Sequence, residues 1–465
     1  MVLRYSLHYL IARGIPALVN FLAIAVYTRL LSPDAYGRYI LVLAGVNMAN
    51  LTVFQWLRLS LVRYLPAYQE QEGVLLGTIG RIYLMLMAGV GVLGGLAAGL
   101  VGVGDWQRLV LVAVLLLWMQ AWFELNVELL RARLQTRAYG WAMGVRSVGA
   151  LGLGTLFILG GLGAFGPLLG MTLSMAGVGL FFVYQNWRTI RLQLNWNQFI
   201  PLLRFGLPLA GSVFLNLALN ASDRFLIALL IDEGKAGIYS AGYDLAYQPI
   251  ILLFSVVNLA SYPLIVRAWE NRKERMVKEY LSDNITLLLA IGFASGIFVT
   301  EFSDLIVKTV LGEKFYDATI IVPWIVWGTL LEGIRIYHSD FSFHLTENTK
   351  KQLYVVMCGL FVNLIVNLIY IPRMGMIAAA WSTLIAFGCA LLLSIWWGRR
   401  LILFTLISKK VIWVVTAGII VLFCVKFLKS NLDSVEVMII SILLCLLYVS
   451  SVFYLLVRNI KIPTD

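Results

Sequence analysis

Residues 27–37 read YTRLLSPDAYG and form a short polar junction between two long apolar stretches. The flanking stretches, near residues 8–30 and 36–58, are each long enough to cross a bilayer, which needs about 20 apolar residues in a helix. Similar stretches follow to the end of the chain. The 465 residues are 61% hydrophobic and 13% charged, with a mean hydropathy of +0.87. The sequence therefore predicts an all-α polytopic membrane protein.

About fourteen transmembrane helices are expected, at roughly 33 residues for each span with its connection. They are predicted near residues 8–30, 36–58, 77–101, 107–130, 139–162, 164–186, 203–231, 236–266, 280–300, 318–344, 352–371, 375–398, 408–428 and 435–457. No early segment resembles a cleavable signal peptide, so the first span is expected to be retained. The connections are too short to hold a soluble domain.

The net charge of +12 is distributed as a membrane topology requires. Arginine and lysine collect on alternate loops, as at residues 131–137, 188–191, 267–278 and 399–410, whereas acidic residues dilute the bases on the opposite loops. By the positive-inside rule, both termini are expected to be cytoplasmic, which requires an even number of spans. This distribution argues against a nucleic-acid partner.

Three short motifs recur in the same order about 200 residues apart, as in transporters built from duplicated halves. The pairs are Gly14-Ile15-Pro16 with Gly206-Leu207-Pro208, Gly37-Arg38-Tyr39 with Gly237-Ile238-Tyr239, and Leu61-Val62-Arg63 with Ile265-Val266-Arg267. We expect a six-helix bundle in residues 1–186, a cytoplasmic interfacial linker in 187–205, a second six-helix bundle in 206–400 and two further helices in 401–465.

The same motifs carry a family resemblance. Residues 27–37 resemble the end of the first helix in polysaccharide flippases of the Wzx type, and Gly206-Leu207-Pro208, Asp223-Arg224-Phe225 and Gly237-Ile238-Tyr239-Ser240 resemble the start of their second half. Residues 363–383, with Asn363, Asn367 and Thr383, are similar to their eleventh and twelfth helices. The resemblance implies the fold of the multidrug/oligosaccharidyl-lipid/polysaccharide exporter superfamily.

The resemblance also implies a function. Wzx-type flippases move an undecaprenyl-pyrophosphate-linked oligosaccharide from the inner to the outer leaflet of the bacterial plasma membrane, for surface polysaccharides such as O-antigen, capsule or exopolysaccharide. The expected partners are this lipid-linked sugar and membrane lipids, with a polysaccharide polymerase and a chain-length regulator as candidates. The anionic pyrophosphate and the hydrated sugar need cations and hydrogen-bonding side chains that line an internal cavity.

The seventh predicted span carries a polar stripe that suits such a cavity. Ser212, Asn216, Asn220, Asp223 and Arg224 fall within about 120° of arc at 100° per residue. Each charge within an apolar span is expensive, so Asp223 and Arg224 must be compensated by pairing, water or a ligand. An interhelical salt bridge and a substrate-binding role both satisfy this condition.

The first and eighth predicted spans hold further candidates for the cavity. Arg13, Asn20 and Tyr27 recur at intervals of seven and so share one helix face. Tyr243 lies with other tyrosines at i, i+4 spacing, which suits either packing or stacking on sugar rings, and Asp244 lies beside them.

Ion coupling needs a titratable group in an apolar span, and Glu124 and Asp244 are the candidates. In the tenth span, Arg335 is a candidate for the cavity, but Glu332 and Arg335 are also spaced as a structural i, i+3 pair. Glu128 and Arg131 have the same spacing.

No nucleotide-binding, zinc-protease, redox or nucleophile-elbow motif occurs, so neither a cofactor nor a metal is expected. The four cysteines fall inside apolar spans as small core residues. Two alternatives to a polysaccharide flippase stay open. One is a membrane glycosyltransferase or polymerase that acts on the same lipid-linked sugars. The other is a lipid-II or drug exporter of the same superfamily.

Overall fold

The computed structural model describes residues 2–402, 408–431 and 434–458, and within these ranges it contains helices but no β-strand. The α-helices are α1 Val2–Leu30, α2 Pro33–Val53, α3 Gln55–Tyr64, α4 Glu72–Val101, α5 Asp105–Ala132, α6 Thr136–Phe157, α7 Phe165–Phe182, α8 Trp196–Leu230, α9 Glu233–Glu270, α10 Glu274–Glu301, α11 Ser303–Val310, α12 Val322–Ile334, α13 Phe341–Leu345, α14 Thr349–Met374, α15 Met376–Gly398, α16 Lys409–Asn431 and α17 Ser434–Arg458. The all-α prediction is confirmed.

In the described ranges, eleven helices are long and apolar enough to cross a membrane, or up to thirteen spans if each of two bent pairs counts as one. The shorter apolar helix Gly14–Leu30, which is the apolar part of α1, corresponds to the first predicted span. Each predicted span therefore coincides with a helix or a bent helix pair. The chain is a multi-pass membrane protein.

Two of the predicted spans are bent rather than straight. The segments Pro33–Val53 and Gln55–Tyr68 meet at 47°, and Glu313–Ile320 meets Val322–Leu345 at 57°. Pro323 lies in the first turn of α12, where a residue without a backbone N–H is tolerated and a new helix can begin. Hydropathy alone could not reveal either bend, because each bent pair meets the length and hydropathy criteria of a span when its two arms are taken together.

Short π-helical segments follow three of the α-helices, at Ile158–Leu162, Val183–Trp187 and Arg335–Ser339. A π-helical turn inserts an extra residue and re-aims the side chains that follow it, and such turns are frequent at functional sites. The segment after α12 carries Arg335, one of the predicted cavity residues.

The chain divides into two compact units. The first comprises Met1–Ala228 and Asp232–Gly237, and the second comprises Leu229–Ile231 and Ile238–Asp465. The predicted boundaries of the two bundles and of the linker stay a prediction.

The predicted linker is anchored within the first unit. Trp187 is buried beside Trp122, with ring centroids 5.0 Å apart, and its Nε1 donates a hydrogen bond to Asn126 Oδ1 at 2.8 Å. Helix α8 begins at Trp196, inside the predicted linker, and Ser60 Oγ donates to the Leu202 carbonyl oxygen at 2.6 Å. The buried tryptophan and the helical start therefore hold this segment against protein.

The recurring glycines Gly37 and Gly237 mark a close approach of two helix starts in the first unit. A Cβ atom on Gly37 would overlap the backbone of Glu233, and one on Gly237 would overlap the backbone of Pro33 and Gly37. Only glycine permits this distance, because it has no side chain. The repeated motif thus has a packing role in the structure.

The last two helices pack against α10 in the second unit. Val414 of α16 and Tyr448 of α17 are buried with Ala290 and Ala294 of α10, and the Tyr448 hydroxyl donates to the Val414 carbonyl oxygen at 2.9 Å. Their outer faces carry exposed apolar side chains such as Phe423. Such a face suits contact with lipid tails.

Candidate functional site

A polar network lies inside the first unit where α2, α3 and α5 meet. This first-unit network consists of Asn47, Asn50, Arg58, Gln120 and Glu124. Arg58 forms an ion pair with Glu124, whose Oε2 also accepts from Asn50 Nδ2 at 2.9 Å. Gln120 Nε2 donates to Glu124 Oε1 at 3.0 Å and to Asn47 Oδ1 at 2.9 Å. The bend after α2 brings Arg58, in the first turns of α3, to this position.

The Glu124 side chain is 33% exposed, whereas that of Arg58 is only 5% exposed. The carboxylate is therefore both paired and reachable from outside the unit. No arginine or lysine of α5 lies within one helical turn of Glu124. The positive charge beside it comes from Arg58 of α3. The other local pair on α5 behaves as a structural pair, because Arg131 Nε lies 3.2 Å from Glu128 Oε2.

The predicted stripe on α8 is partly engaged in its own helix. Asn220 Nδ2 donates to the Asn216 carbonyl oxygen at 2.9 Å. Asp223 is buried, at 1% exposure, and Arg224 beside it is half-buried. Both charged residues interact with other groups. The side chain of Ser212 lies outside the described residues.

The two described side chains of the face predicted for α1 lie in different environments. Asn20 is exposed, whereas Tyr27 is buried and donates from its hydroxyl to the Ala150 carbonyl oxygen of α6 at 3.1 Å. The ring of Tyr27 also meets the ring of Tyr39 edge to face, with centroids 5.8 Å apart. In this structure Tyr27 therefore packs α1 against its neighbours. The side chain of Arg13 lies outside the described residues.

The tyrosines of α9 form a column in the second unit. The ring centroids of Tyr239 and Tyr243 are 5.9 Å apart, and those of Tyr243 and Tyr247 are 5.3 Å apart and stacked. Tyr243 is buried, and the Tyr239 hydroxyl lies 3.3 Å from Thr383 Oγ1 of α15. Asp244 is half-buried beside the column. The rings of Tyr239 and Tyr243 are thus occupied by packing.

A second charged network is enclosed in the second unit. This second-unit network consists of Glu332, Arg335, Asp340, Gln352 and Ser394. Arg335 donates to both oxygens of Glu332, at 2.9 and 2.7 Å, and to Asp340 Oδ2 at 2.8 Å. Ser394 Oγ donates to Asp340 Oδ1 at 2.6 Å. The side chains of Glu332, Arg335 and Asp340 are 0% exposed. Arg335, predicted for the cavity, is therefore enclosed by carboxylates here.

His338 extends the polar interior beside this network. Its Nδ1 lies 3.1 Å from Asn284 Oδ1, and Asn284 Nδ2 donates to Ser261 Oγ at 2.8 Å. Since the amide nitrogen of Asn284 faces the serine, its oxygen faces the imidazole. The hydrogen-bond network thus assigns a proton to His338 Nδ1.

The described residues contain no group of three or more histidine, cysteine, aspartate or glutamate side chains arranged to hold a metal ion. The cysteines at positions 358, 389, 424 and 445 are free thiols.

A family model described as polysaccharide biosynthesis protein matches residues 26–320, which is more than half of the chain. The chain belongs to this family. This match confirms the predicted resemblance to a family of polysaccharide biosynthesis proteins.

Two relatives match part of the chain. The probable low-salt glycan biosynthesis flippase Agl15 of Haloferax volcanii is 22% identical over 296 residues, covering 61% of this chain and 59% of the relative. The uncharacterized membrane protein MJ1068 of Methanocaldococcus jannaschii is 23% identical over 212 residues, covering 44% of this chain and 40% of the relative. The chain thus spans less than two thirds of the length of each.

Solved structures show the same fold. The lipid II flippase MurJ in an inward closed conformation matches with a TM-score of 0.79 at 14% identity, over 98% of this chain and 99% of that one. An inward-facing multidrug resistance MATE family transporter of the MOP superfamily matches with a TM-score of 0.63 at 14% identity, over 84% and 97% of the two chains.

Sequence reasoning missed three interior arginines of this family member. Arg58 belongs to the first-unit network. Arg38 donates from Nε to Glu233 Oε2 at 2.5 Å and lies 3.2 Å from Asp105 Oδ2. Arg146 lies in the middle of α6. The available signal was the position of each arginine inside a predicted apolar span, where a charge always needs an explanation.

Proposed function

We propose that the protein is a flippase that moves undecaprenyl-pyrophosphate-linked oligosaccharide repeat units from the cytoplasmic to the outer leaflet by alternating access. The proposal extends to a bacterial plasma membrane location, cytoplasmic termini, and work alongside a polysaccharide polymerase and a chain-length regulator. The observation that carries it is the match to the polysaccharide biosynthesis family over residues 26–320. A relative named as a glycan biosynthesis flippase and the fold shared with a lipid-linked precursor flippase support it.

The residues divide into four proposed roles. Arg13 and Arg224 are assigned to the pyrophosphate, because arginine pairs well with phosphate oxygens. The exposed or half-buried Asn20, Asn216 and Asn220 are assigned to the sugar, since amides can both donate and accept hydrogen bonds.

Glu124 and Asp244 are proposed for ion coupling, and both are only partly buried. Tyr27, Tyr243 and Arg335 are assigned to the framework that supports these groups, because their side chains are buried against protein.

The function is tested by complementation of bacteria that lack their own flippase. Restored surface polysaccharide, normalised to the amount of protein in the membrane, is the expected outcome. Three matched hosts separate the alternatives: one lacks the polymerase, one lacks the lipid-II flippase, and one is sensitive to exported drugs. Rescue of any of these hosts without rescue of the flippase-deficient host would overturn the proposal.

The proposed orientation has its own test, by thiol labelling of single cysteines in intact cells. Cysteine at Lys273 or Lys410 should be protected from an impermeant reagent, whereas cysteine at Asp232 should react. Labelling at Lys273 without labelling at Asp232 would invert the topology.

The role of Arg224 is tested with Asp223 removed at the same time. A buried ion pair can often be replaced by uncharged groups, so a purely structural pair should tolerate Asp223→Ala with Arg224→Ala. If Arg224 meets pyrophosphate, this double variant loses surface polysaccharide, while Arg224→Lys retains part of it. Normal polysaccharide from the double variant would remove Arg224 from the substrate site.

A further inference from the structure

Arg146 is a positive charge near the middle of a membrane span in the first unit. The span Thr136–Leu162 has 27 residues, and Arg146 lies about 15 Å along it from Thr136 at 1.5 Å per residue. At this depth an arginine requires compensation by a carboxylate, by water or by a ligand. The position of Arg146 therefore calls for an identified partner.

Arg146 points away from the lipid-facing side of α6. Trp141, Val145 and Val148 are the large exposed apolar side chains on this stretch of the helix, at 50%, 40% and 58% exposure. Counted at 100° per residue, Arg146 lies about 100° to 160° from each of them. It lies only about 40° from Ala150, whose carbonyl oxygen accepts from Tyr27 of α1. The guanidinium therefore belongs to the inward face of the helix.

The surroundings of the Arg146 guanidinium are aromatic rather than acidic. Its Cζ lies 5.5 Å from the centroid of the Phe123 ring, a cation–π distance. The side chains of Tyr39 and Tyr139 also lie in its neighbourhood. Its Nε atom is buried and has no hydrogen-bond partner among the described residues. The residue as a whole is half-buried, and Nε is the only one of its three guanidinium nitrogens that is enclosed without a partner.

This environment differs from that of four other arginines in the described part of the chain. Arg38, Arg58, Arg133 and Arg335 each have a carboxylate within ion-pair distance. Arg146 has no such carboxylate in the described part of the chain. A paired arginine is already neutralised, whereas an unpaired one retains its full attraction for an incoming anion.

We propose that Arg146 is an anion-binding residue that receives a phosphate group of the transported lipid. The guanidinium can donate two parallel hydrogen bonds to phosphate oxygens. The aromatic walls exclude water and so strengthen the attraction. The ligand that this site would bind is a phosphate ester or a diphosphate. Its assignment to the polyprenyl pyrophosphate rests on the proposed flippase function.

The test is a binding measurement on the purified full chain in detergent, with labelled undecaprenyl pyrophosphate as the probe. Arg146→Gln should weaken binding by about tenfold or more, and Arg146→Lys by less, because lysine keeps the charge but not the planar fork. The matched control is Arg188→Gln. Arg188 also lies over a ring, 5.4 Å from the centroid of Tyr184, but it is exposed. This control should bind as the wild type does.

Competition on the wild-type chain identifies the source of the phosphate and needs no variant to fold. Displacement by unlabelled inorganic pyrophosphate, without displacement by phosphatidylglycerol, supports a diphosphate site. Equal displacement by phosphatidylglycerol overturns the assignment to the carrier lipid, and wild-type affinity in Arg146→Gln overturns the site itself. A chain that fails to restore polysaccharide yet binds the probe through Arg146 disproves the flippase function alone.

Discussion

The two units each hold a charged network on corresponding helices of the predicted repeat, yet the two networks differ in exposure and in charge. In the first unit, Glu124 of α5, the fourth predicted span, is 33% exposed and pairs with Arg58. In the second unit, Glu332 of α12, the tenth predicted span, is 0% exposed and shares Arg335 with Asp340. One arginine thus faces one carboxylate in the first network and two carboxylates in the second.

The difference in exposure decides what each network can do. Inside the second unit no water can replace a lost partner, so each hydrogen bond is needed to offset the desolvation of the charges. In the first unit, water can replace a partner of Glu124, and the carboxylate can exchange partners at small cost. Similar residues therefore form a fixed network in the second unit and a network that can exchange partners in the first unit.

The largest effect is expected from removing the central cation of the enclosed network. Arg335→Met leaves Glu332 and Asp340 buried without a positive charge, which should destabilise the protein by about 3 to 5 kcal/mol. The measurement is the fraction of folded protein after heating in detergent micelles. In the first unit, Arg58→Met should be milder, at about 1 kcal/mol, because Glu124 can regain water.

The matched control neutralises the enclosed network as a whole. The triple variant Glu332→Gln, Arg335→Met, Asp340→Asn removes all three charges and should recover most of the lost stability, because buried ion pairs are often replaceable by uncharged groups. A triple variant that is no more stable than Arg335→Met would mean that packing, not charge, sets the effect at this site.

A smaller effect, on transport rather than on stability, is expected from a change in the first-unit network. Glu124→Gln keeps the size and shape of the side chain and retains one acceptor oxygen for Asn50 or Gln120, so the amount of protein in the membrane should stay normal. Gradient-driven transport should fall by about tenfold if the titrating carboxylate couples transport to protons. The readout is transport of labelled lipid-linked sugar into vesicles under imposed pH gradients. Unchanged transport at every gradient would remove Glu124 from coupling.

The sequence predicted those features that depend on local spacing. Apolar stretches located the spans, because the thickness of the hydrocarbon core dictates their length. The i, i+3 spacing also predicted the structural pairing of Glu128 with Arg131 and of Glu332 with Arg335, which the structure confirms at 3.2 and 2.7 Å. Both pairs are properties of a single helix or of its direct continuation.

Contacts between distant parts of the chain could not be predicted in this way. Arg58 reaches Glu124 only because the chain bends after α2, and Ser394 reaches Asp340 across 54 residues of sequence. Helical periodicity gives the face of a residue but not the helix that this face meets. The partners of Arg335 and the absence of a carboxylate beside Arg146, within the described residues, therefore emerged only from the structure.

The smallest structural change compared is the loss of one hydrogen bond in each network. Ser394→Ala removes the donor to Asp340 Oδ1, at 2.6 Å, from a carboxylate that water cannot reach, and should destabilise the protein by about 1.5 to 3 kcal/mol. Asn50→Leu removes the 2.9 Å donor to Glu124 and should lose less than about 1 kcal/mol, because water can hydrate Glu124 from the exposed part of its side chain. Thermal unfolding of both variants in the same detergent gives the two values. Equal losses would show that the partial exposure of Glu124 does not soften its network, and the distinction between a fixed and an adaptable site would fail.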